Sequence, residues 1–407
     1  MIFLDNASTT KLNEVAKTEI IKSQGLFFNP SAVYGAGLDI KNKIENAKKE
    51  ICKALGTDYK NNLIFTGSAT EANNLAIFGS IKKTSEQLIF SIGEHPSVYN
   101  CALELKARGY NVQFISLKEN GEVDLEQLKE LLKSPTSFVS IMQVSNETGA
   151  INDIEKIVKI VKQKHPRAII HCDGVQAFGK ISVNVDNLGV DLYTISAHKI
   201  HGPKGIGALY SKYIKKLKPI IFGGEQEFGI RSGTENTQSI LALSEVVKNF
   251  KIREDIEKVK ILNNYVRDFF KLKADFCHSE VNKVTEESSQ PNRFLASLRM
   301  TETINPKIKL NSPENASPYI LSFSFEGVRG ETLVHMLENK GVIIGTGSAC
   351  SSKKGSLNRI LESIKLTKKQ NEGSVRISFS NENTLKEIKI ACEKILETYI
   401  ELLSKLN

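Results

Sequence analysis

Short apolar segments alternate with amphipathic, lysine-rich segments from about residue 14 to residue 250. Residues 167–172 (RAIIHC) form one of the apolar runs, bounded by polar residues, which is typical of a buried strand. Residues 40–53 and 154–164 carry lysines spread along helical patterns. This alternation predicts an α/β fold in which a parallel sheet has helices on both faces.

The pattern changes toward the C-terminus. Residues 246–270 predict a charged helix, and residues 384–406 have the apolar spacing of another. Residues 320–325 and 374–379 alternate between apolar and polar positions, as half-buried strands do. Residues 280–313 are rich in Ser, Asn, Pro and charge, which predicts a surface insertion or a flexible loop.

The chain length predicts two domains, because 407 residues exceed the size at which one core keeps growing. Residues 14–252 would form the large domain. Residues 253–407 would form a smaller α/β domain that residues 1–13 complete.

Composition and charge are those of an ordinary globular enzyme, with 40% hydrophobic and 25% charged residues. The net charge of +9 would suit a nucleic-acid binder, but specific binders cluster their charge. Since the lysines are scattered along predicted helices, a solvated surface explains the charge better than direct nucleic-acid binding. A partner that modifies transfer RNA stays open.

Six cysteines, at positions 52, 101, 172, 277, 350 and 392, form no Cys-x-x-Cys pair. This usage fits a reducing cytoplasm. We find no signal peptide and no apolar run of membrane-spanning length, so we expect a cytoplasmic protein. We propose no metal site, because His171, Cys172 and Asp173 are neighbours on one predicted strand, where side chains alternate between faces.

Lys199 and Asp173 together point to pyridoxal phosphate chemistry. This cofactor needs a lysine amine for a Schiff base and a carboxylate that keeps its pyridine nitrogen protonated. Asp173 would stand at the carboxyl end of a buried strand, where ligands bind in open α/β sheets. Taken singly, Asp173 could instead cap a helix and Lys199 could be a surface charge.

Residues 64–74 (IFTGSATEANN) predict a strand, a turn of small residues and a helix start. Hydroxyl groups and free backbone N–H groups at a helix N-terminus bind a phosphate dianion. An ordinary helix cap made by Ser68 or Thr70 is the alternative.

These residues resemble those of the cysteine desulfurases of the NifS and IscS type, within the class V group of fold-type I pyridoxal phosphate enzymes. The resemblance covers nearly the whole chain. It rests on the following segments: residues 4–10 (LDNASTT), 29–31 (NPS), 66–74 (TGSATEANN), 93–95 (GEH), 144–149 (VSNETG), 171–176 (HCDGVQ), 196–207 (SAHKIHGPKGIG), 231–234 (RSGT), 347–352 (GSACSS) and 375–379 (VRISF).

The resemblance implies a large domain with a mainly parallel seven-stranded sheet, flanked by helices, and a smaller α/β domain that carries a catalytic cysteine loop. It makes Lys199 the Schiff-base lysine and Asp173 the partner of the pyridine nitrogen. Gln176 would donate to the phenolic oxygen, and His95 would lie against the cofactor ring as a candidate for proton transfer.

Further cofactor and substrate ligands follow from the same resemblance. Ala69 would contact the cofactor, and Thr70, Ser196 and His198 would hold its phosphate, with Thr234 supplied by the neighbouring subunit of a homodimer. Asn146 and Arg376 would bind the substrate, Arg376 through a bidentate pair with its carboxylate. Asn146 could otherwise cap a turn, and Arg376 could form an ordinary ion pair.

The implied activity converts L-cysteine to L-alanine and leaves a persulfide on Cys350, which passes its sulfur to an acceptor for iron–sulfur cluster assembly or transfer-RNA thiolation. Lys353 and Lys354 would favour the Cys350 thiolate. A buried, inert cysteine is the alternative for Cys350. For the chain, the alternatives are a selenocysteine lyase, an aminotransferase, or a platform without catalysis in a sulfur-transfer assembly.

Overall fold

The computed structural model describes residues 1–58, 62–82, 85–279, 306–347 and 357–406. Its helices are α1 (Glu14–Ser23), α2 (Gly35–Ala54), α3 (Ala69–Ser80), α4 (Pro96–Ala107), α5 (Leu125–Leu131), α6 (Ile154–Lys164), α7 (Val185–Leu188), α8 (Thr237–Lys248), α9 (Ile252–Ser279), α10 (Gly330–Asn339), α11 (Arg359–Ser363), α12 (Lys368–Glu372) and α13 (Leu385–Leu406). Its strands are β1 (Ile2–Leu4), β2 (Leu63–Thr66), β3 (Gln87–Ser91), β4 (Val112–Ile115), β5 (Thr136–Ser140), β6 (Ile169–Asp173), β7 (Leu192–Ser196), β8 (Gly207–Ser211), β9 (Ile308–Leu310), β10 (Ile320–Phe325), β11 (Val342–Thr346) and β12 (Ser374–Ser378).

The larger sheet has seven strands in the order β2-β8-β7-β6-β5-β3-β4. Strands β4, β3, β5, β6 and β7 pair in parallel, and β8 runs antiparallel to both β7 and β2. The predicted mainly parallel seven-stranded sheet is therefore confirmed. Both faces are buried: Ile89 packs into one hydrophobic cluster, and its neighbours Leu88 and Phe90 pack into another. Burial on both faces explains the consecutive apolar residues Leu88, Ile89 and Phe90 in β3.

The smaller sheet has five strands in the order β1-β11-β12-β10-β9. The first residues of the chain belong to it, because β1 pairs in parallel with β11. Its core is a separate hydrophobic cluster that includes Leu4, Val266, Phe323 and Tyr399. The two sheets thus have separate hydrophobic clusters, and the division into two domains at residues 252 and 253 stays a prediction.

The predictions for residues 246–270 and for the burial of strands β10 and β12 were wrong. Residues 246–270 are two helices, because the chain breaks after α8 and Phe250 packs edge-on against Phe178. Strands β10 and β12 are buried along their whole length rather than on one face. Their serines are hydrogen-bonded inside the protein, as Ser324 is to Asn311 and to Ser374. Burial of a polar side chain is tolerated when it is hydrogen-bonded.

The flexible-loop alternative for residues 280–313 is wrong at Ile308–Leu310, which is an edge strand paired with β10, and the surface-insertion alternative stays a prediction. Residues 280–305 lie outside the described residues. Within the described part of the chain, no helix is both long and apolar enough to cross a membrane.

Candidate active site

The predicted site residues follow the carboxyl ends of neighbouring strands of the larger sheet. Asp173 is the last residue of β6. Ser196 is the last residue of β7, and Lys199 ends the 3-10 turn that follows at once. His95 comes between β3 and α4. Because parallel strands end at the same edge, the topology brings these side chains to one crevice.

Strand register brings the start of α3 next to Ser196. Gly207, at the start of β8, pairs with Thr66 on one side and with Ser196 on the other. A Cβ atom at Gly207 would lie 2.8 Å from the backbone nitrogen of Ala69, so a side chain there would fill the space. Ser68 caps α3, accepting from the backbone N–H of Glu71 at 3.1 Å, as one alternative anticipated.

Ser196, Gly207 and the N-terminus of α3 together form a cradle, and two further features of this phosphate cradle fit a phosphate group. The Ser196 hydroxyl is buried and has no hydrogen-bond partner among the residues that the structure describes. Thr70, in the first turn of α3, is exposed at its rim. An unpartnered buried hydroxyl beside free helix N–H groups forms an anion site, because both are hydrogen-bond donors.

Lys199 and Gln176 meet at the backbone of the N-terminal segment. The Lys199 amine donates to the carbonyl oxygens of Ala7, at 2.7 Å, and of Ser8, at 2.5 Å. The Gln176 amide donates to the same Ala7 oxygen at 2.9 Å. The N-terminal segment at Ala7 and Ser8 therefore lies at the crevice of the larger sheet and contacts two predicted cofactor ligands.

Lys180 fixes the orientation of Gln176, because its amine donates to Oε1 of Gln176 at 2.7 Å and leaves Nε2, which also donates to Ala7, as the donor end. Lys180 is 5% exposed. Burial, followed by the charges of Lys199 and Arg376, lowers the pKa of Lys180 to about 7. An ammonium group there is accordingly easy to deprotonate.

A chain of hydrogen bonds joins Asp173 to His95. The Asn73 amide nitrogen donates to Oδ2 of Asp173 at 2.9 Å and to the Ser97 hydroxyl at 2.8 Å. The Ser97 hydroxyl lies 2.8 Å from Nδ1 of His95. The other Asp173 oxygen accepts from the backbone N–H of Val175 at 3.0 Å. The carboxylate is thus held by two donors.

Arg376 joins the two sheets at the crevice. Its guanidinium donates to Oδ1 of Asp5 at 2.8 Å and to the backbone oxygen of Asn146 at 2.9 Å. A carboxylate oxygen of Glu147 lies 3.7 Å away. The Asn146 amide nitrogen donates to Glu147 at 2.9 Å, and its Oδ1 has no hydrogen-bond partner among the described residues, so Asn146 does not cap a turn. Arg376 and Asn146 are in contact, as binding of one small substrate would require.

His198 and Thr234 make no hydrogen bond to the other predicted cofactor ligands within the described residues. Nδ1 of His198 lies 3.1 Å from the Thr9 hydroxyl, and burial, followed by the charges of Lys199 and Lys204, lowers the pKa of His198 to about 4. His198 is therefore neutral at pH 7. Thr234 is exposed, and no hydrogen bond joins its side chain to another site residue within the described ranges.

Cys350 lies outside the described residues, as do Lys353 and Lys354. The described residues on either side of that predicted loop lie beside the crevice. Before it, Gly345 pairs with Arg376 across β11 and β12. After it, the Arg359 guanidinium donates to the backbone oxygen of Glu94 at 2.7 Å and lies 3.7 Å from the ring centre of Tyr99. Both ends of the loop therefore lie next to predicted site residues.

His171 is fully buried under the site, between the hydroxyl groups of Ser140 and Thr194, at 2.9 and 3.1 Å. Burial lowers the pKa of His171 to about 4. The unfolded chain then binds more protons than the folded one as pH falls from about 6.5 toward 4, so stability falls over that range.

We expect acidification from pH 7 to pH 5 to remove about 2 kcal/mol of unfolding free energy through His171 alone. Urea unfolding at both pH values measures this, with His171→Gln expected to weaken the dependence by that amount. The matched control is His335→Gln, whose side chain is 79% exposed. An unchanged pH dependence in His171→Gln would contradict the assignment.

The donor set fits pyridoxal phosphate. Ser196 and the α3 N-terminus form an anion site, Asp173 can pair with a protonated ring nitrogen, and Lys199 supplies an amine. All three stand at the carboxyl edge of the sheet.

Sequence reasoning missed several residues of this site: Asp5, Asn73, Ser97, Glu147, Lys180 and Arg359. Asp5, Asn73 and Glu147 lie in quoted motifs, but their roles depend on long-range contacts. Lys180 follows the HCDGVQ motif by four positions, the spacing at which helical neighbours meet, and this could have suggested it. No sequence pattern identifies Arg359.

Comparison with known proteins agrees with this geometry. The family model for class-V aminotransferases matches residues 2–390. A cysteine desulfurase IscS of Dictyoglomus turgidum is 33% identical over 413 aligned positions, covering 100% of this chain and 96% of the relative. A solved NifS-like protein has a TM-score of 0.81 and 28% identity, over 97% of this chain and 98% of its own.

A solved structure of SspA in complex with cysteine has a TM-score of 0.74 and 26% identity. The match covers 94% of this chain and 100% of the SspA chain. These matches confirm the resemblance drawn from the motifs and the predicted fold-type I architecture. This chain belongs to the class-V aminotransferase family.

Proposed function

We propose that this chain is a pyridoxal phosphate-dependent cysteine desulfurase, which converts L-cysteine to L-alanine and takes the sulfur onto Cys350. The observation that carries the proposal is that both ends of the Cys350 loop are fixed at the crevice, through Gly345 beside Arg376 and through Arg359 at Glu94. The full-length similarity to an IscS cysteine desulfurase supports it.

Pyridoxal phosphate, when bound, supplies an aldehyde for the amine of Lys199 or of the substrate and a pyridinium ring that accepts electrons. Ser196, Ala69 and Thr70 would hold its phosphate, with His198 nearby. Asp173 would keep the ring nitrogen protonated. Gln176, oriented by Lys180, would present its amide to the phenolic oxygen.

Arg376 and Asn146 would bind the substrate. The planar guanidinium of Arg376 suits a carboxylate, and its hydrogen bond to Asp5 positions the guanidinium. That SspA was solved with cysteine supports cysteine as the ligand for this pocket.

Lys199 would remove the α-proton of the bound amino acid, because its amine is held at the crevice by Ala7 and Ser8. The Cys350 thiolate would then attack the substrate sulfur. The carbon–sulfur bond breaks, a sulfur–sulfur bond forms on Cys350, and the bonding electrons stay with carbon, which is protonated to give alanine. Cysteine and one thiol thus yield alanine and one persulfide.

The test is the yield of alanine and sulfide from L-cysteine with a thiol reductant, measured beside the visible absorbance of the protein. Equal yields of both products from a yellow protein support the function. Turnover of selenocysteine without cysteine would favour a selenocysteine lyase, and keto-acid formation an aminotransferase. A colourless protein would favour the platform without catalysis.

Arg376→Lys keeps a positive charge but loses the forked geometry that a carboxylate prefers. We expect kcat/KM for L-cysteine to fall by about 10- to 100-fold, which is about 1.4 to 2.7 kcal/mol. Steady-state alanine formation measures it. Arg267→Lys is the matched control, since Arg267 donates to Asn263 and Pro313 on the smaller domain. An unchanged kcat/KM in Arg376→Lys would exclude the carboxylate contact.

We also propose a homodimer in which Thr234 reaches the neighbouring subunit's phosphate site. Thr234 is exposed, and the same connection between β8 and α8 carries Phe222, which is 83% exposed. Phe27 and Val33 add exposed apolar surface before α2. A second copy of this chain would cover these groups, because large exposed apolar patches mark interfaces. Light scattering that reports a monomer would contradict this arrangement.

The persulfide acceptor would be a thiol-bearing protein of iron–sulfur cluster assembly or transfer-RNA thiolation, in the cytoplasm. The four cysteines whose side chains are described, at positions 52, 101, 172 and 392, are buried free thiols, which suits a reducing compartment. Transfer of labelled sulfur from the loaded protein to each candidate acceptor tests the partner. Cell fractionation tests the location.

A further inference from the structure

Nδ1 of His95 accepts two hydrogen bonds. The backbone N–H of Ser97 donates to it at 3.2 Å, where His95 caps helix α4. The Ser97 hydroxyl lies 2.8 Å from the same nitrogen. A nitrogen that receives a backbone N–H must present a lone pair, so Nδ1 carries no proton in this arrangement.

Asn73 makes the other hydrogen bond to the Ser97 hydroxyl. One Asn73 amide hydrogen points to Oδ2 of Asp173, and an ionised carboxylate can only accept. The amide nitrogen is thereby assigned, and its second hydrogen goes to the Ser97 hydroxyl oxygen. Because Nδ1 of His95 carries no proton, the single hydroxyl proton of Ser97 is directed to it, while the hydroxyl oxygen accepts from Asn73.

We propose that Asn73 and Ser97 are positioning residues that hold His95 as a neutral imidazole with its proton on Nε2. This is the ring nitrogen that helix α4 does not use. In the resting site His95 is then a hydrogen-bond donor through Nε2 rather than a proton acceptor. The consequence for catalysis rests on the proposed function: the α-proton goes to Lys199 and not to His95.

The surrounding charges agree with a neutral ring. Burial lowers the pKa of His95, Asp173 opposes this effect, and the positive charges of Lys199, Arg359 and Arg376 add to it. These four groups face His95 from the end of β6, the turn after β7, α11 and β12. The preceding residue Glu94 adds little negative charge, because burial raises its pKa well above the usual range.

The tautomer can be read directly by solid-state NMR of the full-length protein labelled with 15N-histidine. Loss of one pair of signals in His95→Gln assigns the ring nitrogens of His95. At neutral pH we expect an unprotonated Nδ1 and a protonated Nε2. Ser97→Ala removes one donor to Nδ1, so we expect the pKa of His95 to rise by about one unit, and Ser97→Thr to restore it.

A double-mutant cycle tests the role of Asn73. Asn73→Ala should raise the pKa of His95, and should do so by less than half as much in the Ser97→Ala background, because its effect passes through that hydroxyl. Ser140→Ala is the matched control, since it removes the equivalent hydroxyl contact at His171 and should move only the His171 signals.

A proton on Nδ1 of wild-type His95 would overturn the proposal without any variant. Additive changes in the pKa of His95 from Asn73→Ala and Ser97→Ala would show that Asn73 does not act through Ser97, which would also overturn it. The measurement is separate from turnover. If His95 carries its proton on Nε2 but the protein does not desulfurate cysteine, this inference stands and the proposed function fails. If the protein desulfurates cysteine but His95 carries its proton on Nδ1, the proposed function stands and this inference fails.

Discussion

Replacing Cys350 by alanine is expected to lower the rate of alanine formation from L-cysteine by more than about 1,000-fold, because the attacking thiolate is removed and no other group takes its part. The variant should keep the yellow colour, since Lys199 and the phosphate cradle do not involve Cys350. Alanine and sulfide assays, run beside the absorbance spectrum, measure both properties.

Cys392→Ala is the matched control for this variant. Cys392 is buried in the hydrophobic cluster of the smaller sheet. Burial raises the pKa of its thiol to about 12, so it holds almost no thiolate at neutral pH. Its removal should leave turnover intact. If Cys350→Ala turned over cysteine as the wild type does, the persulfide mechanism would be excluded.

Lys199→Arg should abolish turnover to a similar extent, by about 1,000-fold or more. Arginine keeps the positive charge beside Ala7 and Ser8, but its guanidinium is not deprotonated in proteins. It can therefore neither form the Schiff base nor accept the α-proton. Alanine formation and the visible spectrum at neutral pH measure the loss.

The matched control is Lys204→Ala, which removes an exposed lysine five positions away in the same motif. We expect it to retain turnover and colour. A Lys199→Arg protein with the wild-type spectrum and rate would show that another amine does the chemistry, and Lys180 would then be the first to examine, because its pKa lies near 7.

The elements of the larger sheet could be predicted because most of its strands are buried on both faces. The run at residues 167–172 became β6, and Asp173 ends it as expected. The strands of the smaller sheet were harder, since Ser322 and Ser324 look like solvent-facing positions. They are buried because Ser312, Asn311 and Ser374 hydrogen-bond to that strand, and such partners are far apart in sequence.

The site could be predicted as a set of motifs but not as a network. Lys199 and Asp173 follow from the chemistry that a lysine and a strand-end carboxylate allow. The contact of Arg376 with Asp5 spans 371 positions, and the contact of Asn73 with Asp173 spans 100. Contacts of that range are set by strand register and sheet order, which no local pattern contains.

The most direct test of the central claim is peptide mass spectrometry of the protein after one exposure to L-cysteine without reductant. The account predicts one additional sulfur atom on the peptide that contains Cys350, in an amount equal to the alanine released. Alanine release with the extra sulfur on another cysteine, or with none on the protein, would contradict it.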